Sequence, residues 1–255
     1  MSSSVDWPAR SLLDETADPI AVLVDHLPAA ERRDHDPAVR LGRRKLSCSA
    51  SHIPRAGSAT LPTITLLTAA LYRAMPWRNG LGMTTEIALE PGGEDRYRWR
   101  LSIADVVQSG PFSAFAGYDR VIAVVAGAGM HLAVAGRPAV RLDRDSAPYG
   151  FPGDAPTDCT LVEGPIRDFN LIFDRATTRG SVAWLHPGKA PMPVSLAGGT
   201  TLLHAPDGRL TVDAGPAGAW TMPEGATLRL DRMIGTVTIA GEPGGRALLA
   251  TVEPI

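Results

Sequence analysis

Four short clusters of the sequence combine polar or charged side chains with aromatic rings and with the glycine or proline that ends a strand. They lie at residues 75–86, 99–104, 110–120 and 164–170. A guanidinium group such as that of Arg100 or Arg120 can hold a carboxylate through two parallel hydrogen bonds. Side chains such as Asn79, Ser113 and Asn170 can hydrogen-bond to amide or formyl groups. Together these residue types suit the binding of a small carboxylate-bearing molecule.

Residues 97–107 show the period-two alternation that is typical of a β-strand with one polar face. The alternation places Tyr97, Trp99, Leu101 and Ile103 on one face, and Arg98, Arg100, Ser102 and Ala104 on the other. If the preceding hairpin loop has an odd number of residues, Glu86 on the neighbouring strand faces Arg100. Such a pair is either a solvated ion pair contributing about 0–1 kcal/mol or a device that orients Arg100 toward a ligand carboxylate. The residues alone leave both interpretations open.

Two further pairs of polar residues are candidates for the same pocket. Asp119 and Arg120 are adjacent in a predicted strand, so only one of them can face a given cavity. Asp119 can instead cap the preceding turn through its carboxylate. Asp168 and Asn170 are two residues apart and therefore share a face, with Phe169 on the other. That shared polar face suits a pocket lining, and it equally suits an exposed sheet edge.

The sequence lacks the motifs of common cofactor and metal sites. It contains no P-loop, no G-x-G-x-x-G and no G-x-S-x-G nucleophile elbow. Its six histidines never occur in a metal-binding spacing, and Cys48 and Cys159 form no C-x-x-C pair. We therefore expect neither a metal ion nor a cofactor.

Charge and hydropathy bear on the partners and the compartment. The formal net charge of the 255 residues is -2, which argues against binding nucleic acid through bulk positive charge. The sequence has no run of about 18 apolar residues, so no membrane span is expected. Two cysteines are compatible with a reducing cytoplasm. We expect a cytoplasmic protein with neither a nucleic-acid nor a membrane partner, and a homodimer is compatible with the sequence.

The elements that must position these residues are short strands. From Thr63 onward, runs rich in Val, Ile, Thr and aromatics alternate with Gly and Pro turns, which predicts a sandwich or barrel. The pattern breaks near residues 174–180 and then restarts, which indicates two similar β units in tandem. We predict a poorly ordered extension at residues 1–60, a first unit with the candidate site at 61–175 and a second unit at 176–255. All phenylalanines and tyrosines fall between Tyr72 and Phe173, which favours the first unit as the ligand holder.

Taken together, the four clusters resemble the HutD/Ves family. The family pattern has PW[KR]NGGG-T-x-E-I-A, W-R-x-S-x-A, GPFSxFPGxDR and G-x-x-x-DFN, which match residues 76–88, 99–104, 110–120 and 164–170 in order. The resemblance covers about residues 64–175, and the remaining C-terminal part looks like a divergent second half. The sequence departs from the pattern at two turns, where Leu81 replaces a glycine of the first motif and Ala116 replaces the proline of the third.

The resemblance implies an all-β fold of two tandem cupin-like units, each a double-stranded β-helix or jelly roll, and hence a bicupin. It also implies a cytoplasmic role in histidine utilisation, in which the protein binds an acidic intermediate of the formylglutamate type and modulates the pathway without known catalysis. The implied binding residues are Asn79, Glu86, Arg100, Ser102, Ser113, Asp119, Arg120, Asp168 and Asn170. The implied walls or core residues are Trp77, Trp99, Phe112 and Phe115.

Two other functions stay open at the level of sequence. The first is a cupin enzyme, an isomerase or hydrolase, that uses Glu86 or Asp119 as its general base. The second is a structural or partner-binding β protein, which would have a first-unit cavity too small or too apolar for a polar ligand. The leading interpretation remains a non-catalytic protein that binds a small carboxylate-bearing metabolite.

Overall fold

Strands form nearly all of the regular structure in the computed structural model, which describes residues 61–77, 82–93 and 96–255. Within these ranges the exceptions are two single 3₁₀ turns, at Ala69–Leu71 and Gly215–Ala217. The predicted all-β fold is therefore confirmed. No helix in the described ranges is long and apolar enough to cross a membrane. The predicted extension at residues 1–60 lies outside the described residues.

The strands are short and follow one another closely along the chain. The first half contains β1 (Thr63–Leu67), β2 (Arg73–Pro76), β3 (Gly82–Pro91), β4 (Tyr97–Val106), β5 (Gly110–Pro111), β6 (Tyr118–Ala126), β7 (Met130–Val134), β8 (Val140–Leu142), β9 (Tyr149–Pro152), β10 (Thr157–Leu161) and β11 (Ile166–Asp174). The second half contains β12 (Thr178–Leu185), β13 (Met192–Ala197), β14 (Thr200–Asp207), β15 (Leu210–Asp213), β16 (Ala219–Met222), β17 (Thr227–Asp231), β18 (Ile234–Gly241) and β19 (Arg246–Pro254).

These strands pair into four sheets. Sheet I has the order β2-β3-β4-β11-β6-β9 and sheet II the order β5-β10-β7-β8. Sheet III has the order β1-β17-β14-β19-β12 and sheet IV the order β13-β18-β15-β16. The pairs that carry the argument below, β4 with β11 and β11 with β6, are antiparallel, as are the pairs of sheets III and IV.

Three hydrophobic cores hold these sheets together. The core between sheets I and II includes Ile122, Leu132 and Phe151, that between sheets III and IV includes Leu210, Leu228 and Ile239, and that between sheets I and III includes Leu101, Phe169 and Leu248. Each half thus forms two facing antiparallel sheets, in agreement with two tandem jelly-roll units. The third core packs the two large sheets back to back, so that β4 and β11 contribute side chains to a core on each face.

The sheets do not follow the predicted unit boundaries at the first strand. Residues 63–67, assigned by sequence to the first unit, form β1, which pairs with β17 in sheet III. The predicted boundary at residue 175 falls in the turn between β11 and β12. The division into two units stays a prediction. β1 differs from it, because this strand of the first half pairs in a sheet of the second half.

One buried histidine lies at the junction of sheets I and III. His204 on β14 is 1% exposed, and its Nδ1 lies 2.9 Å from Oγ1 of Thr227. Its ring centroid lies 5.5 Å from that of Phe169 on β11. Burial lowers the pKa of His204 to about 4 because the apolar surroundings disfavour the imidazolium. The side chain is therefore neutral in the folded protein at physiological pH.

We expect His204 to make the fold acid-sensitive. In the unfolded chain its pKa returns to about 6.5, so between pH 6.5 and 4 the unfolded state binds a proton that the folded state does not. Its contribution to the free energy of unfolding therefore falls by about 3 kcal/mol as the pH drops through this window. Urea unfolding of wild type and His204→Gln from pH 7.5 to 4 should show their difference in stability shrinking toward acid. Parallel curves would contradict the assignment.

Candidate functional site

A cavity of about 460 Å³ opens over the face of sheet I that is turned toward sheet II. Its floor is formed by Thr84, Arg100, Ser102, Ala104, Arg120, Asp168, Asn170 and Ile172. Its rim is formed by Met75, Pro76, Trp77, Pro111, Phe112, Ser113 and Phe115. The four sequence clusters therefore meet in one place, because four strands of sheet I (β3, β4, β11 and β6) and the segments that include β2 and β5 converge there.

Strand alternation explains why the polar side chains face the cavity. On β4, Arg100 and Ser102 line the cavity while Trp99 and Leu101 are buried in the core against sheet III. On β11, Asp168 and Asn170 line the cavity and Phe169 lies in the same opposite core. The register places Asn170 beside Ser102 and Asp168 beside Ala104. Asp168 and Asn170 therefore share a face, and that face lines the cavity.

Tyr97 departs from the predicted alternation. Its ring lies 4.7 Å from that of Tyr118 and beside Arg100, whose Cζ is 5.3 Å from the ring centroid. The sequence had placed Tyr97 with Trp99 on the apolar face. The register between β3 and β4 shifts between Glu90 and Pro91, and this irregularity turns Tyr97 to the side of Arg100.

Arg120 is a buried cation surrounded by aromatic rings. Arg120 is only 5% exposed. Its Cζ lies 5.1 Å from the ring centroid of Phe112, 5.3 Å from that of Phe115 and 5.1 Å from that of Phe151. Burial lowers its pKa to about 10, and the nearby Asp168 carboxylate opposes that effect. The guanidinium stays charged at neutral pH, and the rings fix its position through cation–π contacts.

Asp168 is the buried acid beside these arginines. It is 1% exposed, and burial raises its pKa to about 7, while Arg120 acts in the opposite direction. The carboxyl group is therefore close to equal populations of its charged and neutral forms at neutral pH. A titratable group so placed in a polar cavity is a typical sign of a functional site.

Several buried polar atoms of the floor lack hydrogen-bond partners within the described part of the chain. They are Nε of Arg100, Nε of Arg120, Oδ1 of Asp168 and Oδ1 of Asn170. An unpartnered buried polar group costs about 1–3 kcal/mol, so four together are unusual in a region that serves only packing. Their clustering beside one cavity marks this floor as a candidate polar binding surface.

The walls of the cavity are held by local hydrogen bonds. Trp77 Nε1 donates to Thr84 Oγ1 at 2.8 Å, which fixes the indole at the rim. The loop that carries Ser113 is tied at both ends, since the backbone N–H of Phe112 donates to Thr157 and that of Phe115 donates to Gly153, each at 2.8 Å. The rim is therefore supported before any ligand arrives.

The structure brings together six of the nine predicted site residues and separates two. Arg100, Ser102, Ser113, Arg120, Asp168 and Asn170 line the cavity. Asp119 does not, because alternation turns it away from Arg120, and its Oδ1 lies 3.1 Å from Nε of Arg175. Glu86 lies opposite Ser102 rather than Arg100, because the β3–β4 register shifts after it, and it is not part of the lining. Asn79 and the replaced glycine position Leu81 lie outside the described residues.

Sequence reasoning missed two contributors to the site. Phe151 contacts the Arg120 guanidinium through its ring. It lies on β9, an edge strand of sheet I that carries none of the four clusters. Thr84 lies inside the first cluster, and its hydrogen bond to Trp77 shows why a hydroxyl stands there. Of the predicted wall residues, Trp77, Phe112 and Phe115 line the cavity, whereas Trp99 belongs to the core behind it.

Comparisons with known proteins point to one family. A family model described as HutD matches residues 69–248. An uncharacterized 21.2 kDa protein from the hutC 3' region of Pseudomonas putida is 48% identical over 120 residues, covering 47% of this chain and 63% of that protein. Protein Ves of Citrobacter koseri is 36% identical over 114 residues, covering 43% of this chain and 59% of Ves. Each alignment thus spans less than two thirds of the curated relative.

A solved structure extends the similarity over nearly the whole described chain. The HutD structure from Pseudomonas fluorescens SBW25 shares 34% sequence identity with a TM-score of 0.66, covering 76% of this chain and 100% of the HutD chain. The match includes both halves, so the divergent second half has a counterpart there as well.

Proposed function

The chain belongs to the HutD family, and from this premise we propose that it binds a small carboxylate-bearing metabolite without transforming it. The metabolite we propose is an acidic intermediate of histidine degradation, of the formylglutamate type, and its binding would modulate histidine utilisation. The support for the pathway is the family and the relative in the hutC 3' region of Pseudomonas putida.

One observation carries the binding proposal. Two arginines, Arg100 and Arg120, line a cavity of about 460 Å³, where guanidinium groups can pair with a carboxylate. That volume lies within the range of roughly 300–1,000 Å³ that is usual for small-molecule sites. Asp168 is the acidic residue in the described lining, so the cavity is net positive and favours an anion.

The neutral polar groups of the floor suit the rest of such a ligand. Asn170 and Ser102 face each other in the β4–β11 register, and both are buried. Their amide and hydroxyl groups can donate to or accept from a formyl or amide group, while the aromatic rim packs on the carbon skeleton. In this arrangement the arginines hold the carboxylate and the neutral pair recognises the amide end.

Isothermal titration calorimetry with urocanate, formiminoglutamate and formylglutamate tests the proposal. We expect at least one of them to bind with a Kd well below millimolar, because charge-assisted hydrogen bonds in a dry cavity are strong. Amides of the same compounds, which lack the carboxylate charge, serve as matched controls and should bind at least about tenfold more weakly. If none of the three acids binds more tightly than millimolar, the proposal is wrong.

Following the ligand over time distinguishes binding without reaction from catalysis. Asp119 is ion-paired with Arg175 outside the cavity lining, and Glu86 lies beside rather than within the lining. We expect nuclear magnetic resonance spectra of a bound acid to stay unchanged during incubation with the protein. A product that forms with wild type and not with Glu86→Gln would establish an enzyme instead.

A further inference from the structure

We propose that Asp168 determines the charge of the ligand: it is a neutral acid in the complex, so that the cavity selects a molecule with two carboxylates over one with a single carboxylate. This step rests on the proposed function and adds a specificity-determining residue to it. It also implies that binding takes up a proton from solution.

The charges of the cavity lead to this assignment. Among the described lining residues, Arg100 and Arg120 contribute two positive charges and Asp168 contributes at most one negative charge. With Asp168 ionised, a single ligand carboxylate balances the site. With Asp168 neutral, two ligand carboxylates balance it. Uncompensated charge is very costly in a desolvated cavity, so the protonation of Asp168 and the charge of the ligand must match.

The position of Asp168 favours its neutral form. The residue is 1% exposed on the central strand of the floor, and its Oδ1 has no partner among the described residues. The nearby arginine acts on it through space, without a direct hydrogen bond. An ionised carboxylate in such surroundings lacks the close donors that normally stabilise it, whereas a carboxylic acid can donate its proton to a ligand oxygen.

The charged groups around Asp168 stabilise its ionised form less than burial destabilises it. Six titratable or charged groups lie near Asp168. They are Tyr97, Arg100 and Asp105 on β4, Glu86 on β3, Arg120 on β6 and Cys159 on β10. Arg120 lowers the pKa of Asp168 and Asp105 raises it, while burial outweighs both and brings the value to about 7. Burial raises the pKa of the Cys159 thiol to about 11, so it stays neutral. A ligand carboxylate arriving beside Asp168 raises the pKa of Asp168 further.

The proton balance is simple. Free protein near pH 7 contains both ionised and neutral Asp168, since burial raises the pKa of this group to about 7. When a dicarboxylate enters, the ionised side chains each take one proton from the buffer, and the O–H donates to a ligand oxygen. When a monocarboxylate enters, charge balance requires the ionised form, so each Asp168 that is neutral in the free protein releases one proton to the buffer.

Calorimetry with a matched pair of probes tests this. N-formylglutamate and N-formylglutamine have the same skeleton, with one carboxylate replaced by a carboxamide. The carboxyl groups of both probes have pKa values of about 4 and stay ionised above pH 6. Titrations from pH 7 to 8.5 in HEPES and in Tris, which differ in ionisation enthalpy, measure the protons exchanged on binding, and a further titration in MES gives the affinity at pH 6.

For wild type, binding of N-formylglutamate should take up a fraction of a proton near pH 7, and this fraction should rise toward one as the pH increases. Its affinity should fall by up to about tenfold per pH unit above pH 7. N-formylglutamine should bind more weakly than N-formylglutamate at pH 6, and it should release a fraction of a proton that grows as the pH falls. This comparison uses unmodified protein, so it decides the matter independently of how any variant folds.

Asp168→Asn gives a second measurement, because asparagine resembles the neutral acid in size. This variant should bind N-formylglutamate with no proton exchange and no pH dependence, and about 30-fold more tightly than wild type at pH 8.5, which is about 1.5 pH units above the pKa of Asp168. Asp119→Asn is the matched control, since Asp119 faces Arg175 outside the cavity, and it should keep the wild-type proton uptake.

The outcomes separate the two proposals. Binding of N-formylglutamate by wild type without proton uptake, or with proton release, would show that Asp168 is ionised in the complex and would overturn its assigned role alone. Failure of folded wild type to bind any of the acids at any pH would overturn the proposed function, and the role of Asp168 with it.

Discussion

Replacing Arg120 by methionine should weaken the binding of N-formylglutamate by at least about 100-fold. The guanidinium lies inside a ring of Phe112, Phe115 and Phe151 and provides a buried charge for the ligand carboxylate. Methionine has a similar length and no charge, so the ligand would lose the more deeply buried of the two cations that line the cavity. Loss of a buried charge partner typically costs about 2–5 kcal/mol of binding free energy.

The same substitution should leave the free protein as stable as wild type or more stable. Nε of Arg120 has no partner among the described residues, so the folded protein bears the cost of its desolvation without a full return. Replacing buried charges by well-packed apolar side chains is often neutral or stabilising by about 1–4 kcal/mol. Asp168 loses a nearby cation, and it can respond by remaining a neutral acid.

Calorimetry and urea unfolding of Arg120→Met measure both effects. Arg98→Met is a suitable control, because Arg98 is an exposed arginine on β4 of the same sheet. The control should change neither affinity nor stability beyond about 0.5 kcal/mol. An affinity of Arg120→Met within about threefold of wild type would show that Arg120 does not contact the ligand.

The faces of the site strands could be predicted from sequence because alternation is a local property. Arg100 and Ser102 share a face, as do Asp168 and Asn170, wherever β4 and β11 lie in the fold. Alternation alone does not predict which of the adjacent residues Asp119 and Arg120 faces the cavity. That choice depends on which face of β6 covers the cavity, and pairing with β9 and β11 decides that over long range.

The features that sequence did not show arise from contacts between distant segments. β1 pairs with β17 across more than half of the chain, and no local pattern specifies that partner. The register shift that moves Tyr97 to the side of Arg100 depends on how β3 and β4 meet. The core between sheets I and III was also not predicted, because the apolar face of β4 would look the same against any sheet.

That core allows the fold to be weakened without altering the cavity. Phe169 is 0% exposed and lies between Ile103 of β4 and Ala123 of β6 in register, with His204 of sheet III packed on its ring. Phe169→Ala should lower the free energy of unfolding by about 3–5 kcal/mol, because the lost ring leaves a cavity that the rigid sheets cannot fill. Urea unfolding measures the loss, and Phe169→Leu should cost clearly less.

Binding should survive Phe169→Ala within a few fold at temperatures where the variant is folded. Asp168 and Asn170 flank Phe169 on β11 but face the other way, and hydrogen bonds to β4 on one side and β6 on the other keep that strand in place. Arg120→Met should therefore remove binding and spare stability, whereas Phe169→Ala should do the reverse. If Phe169→Ala abolishes binding in the folded protein, the floor of the cavity depends on the core behind it, and the two faces of β11 cannot be treated as independent.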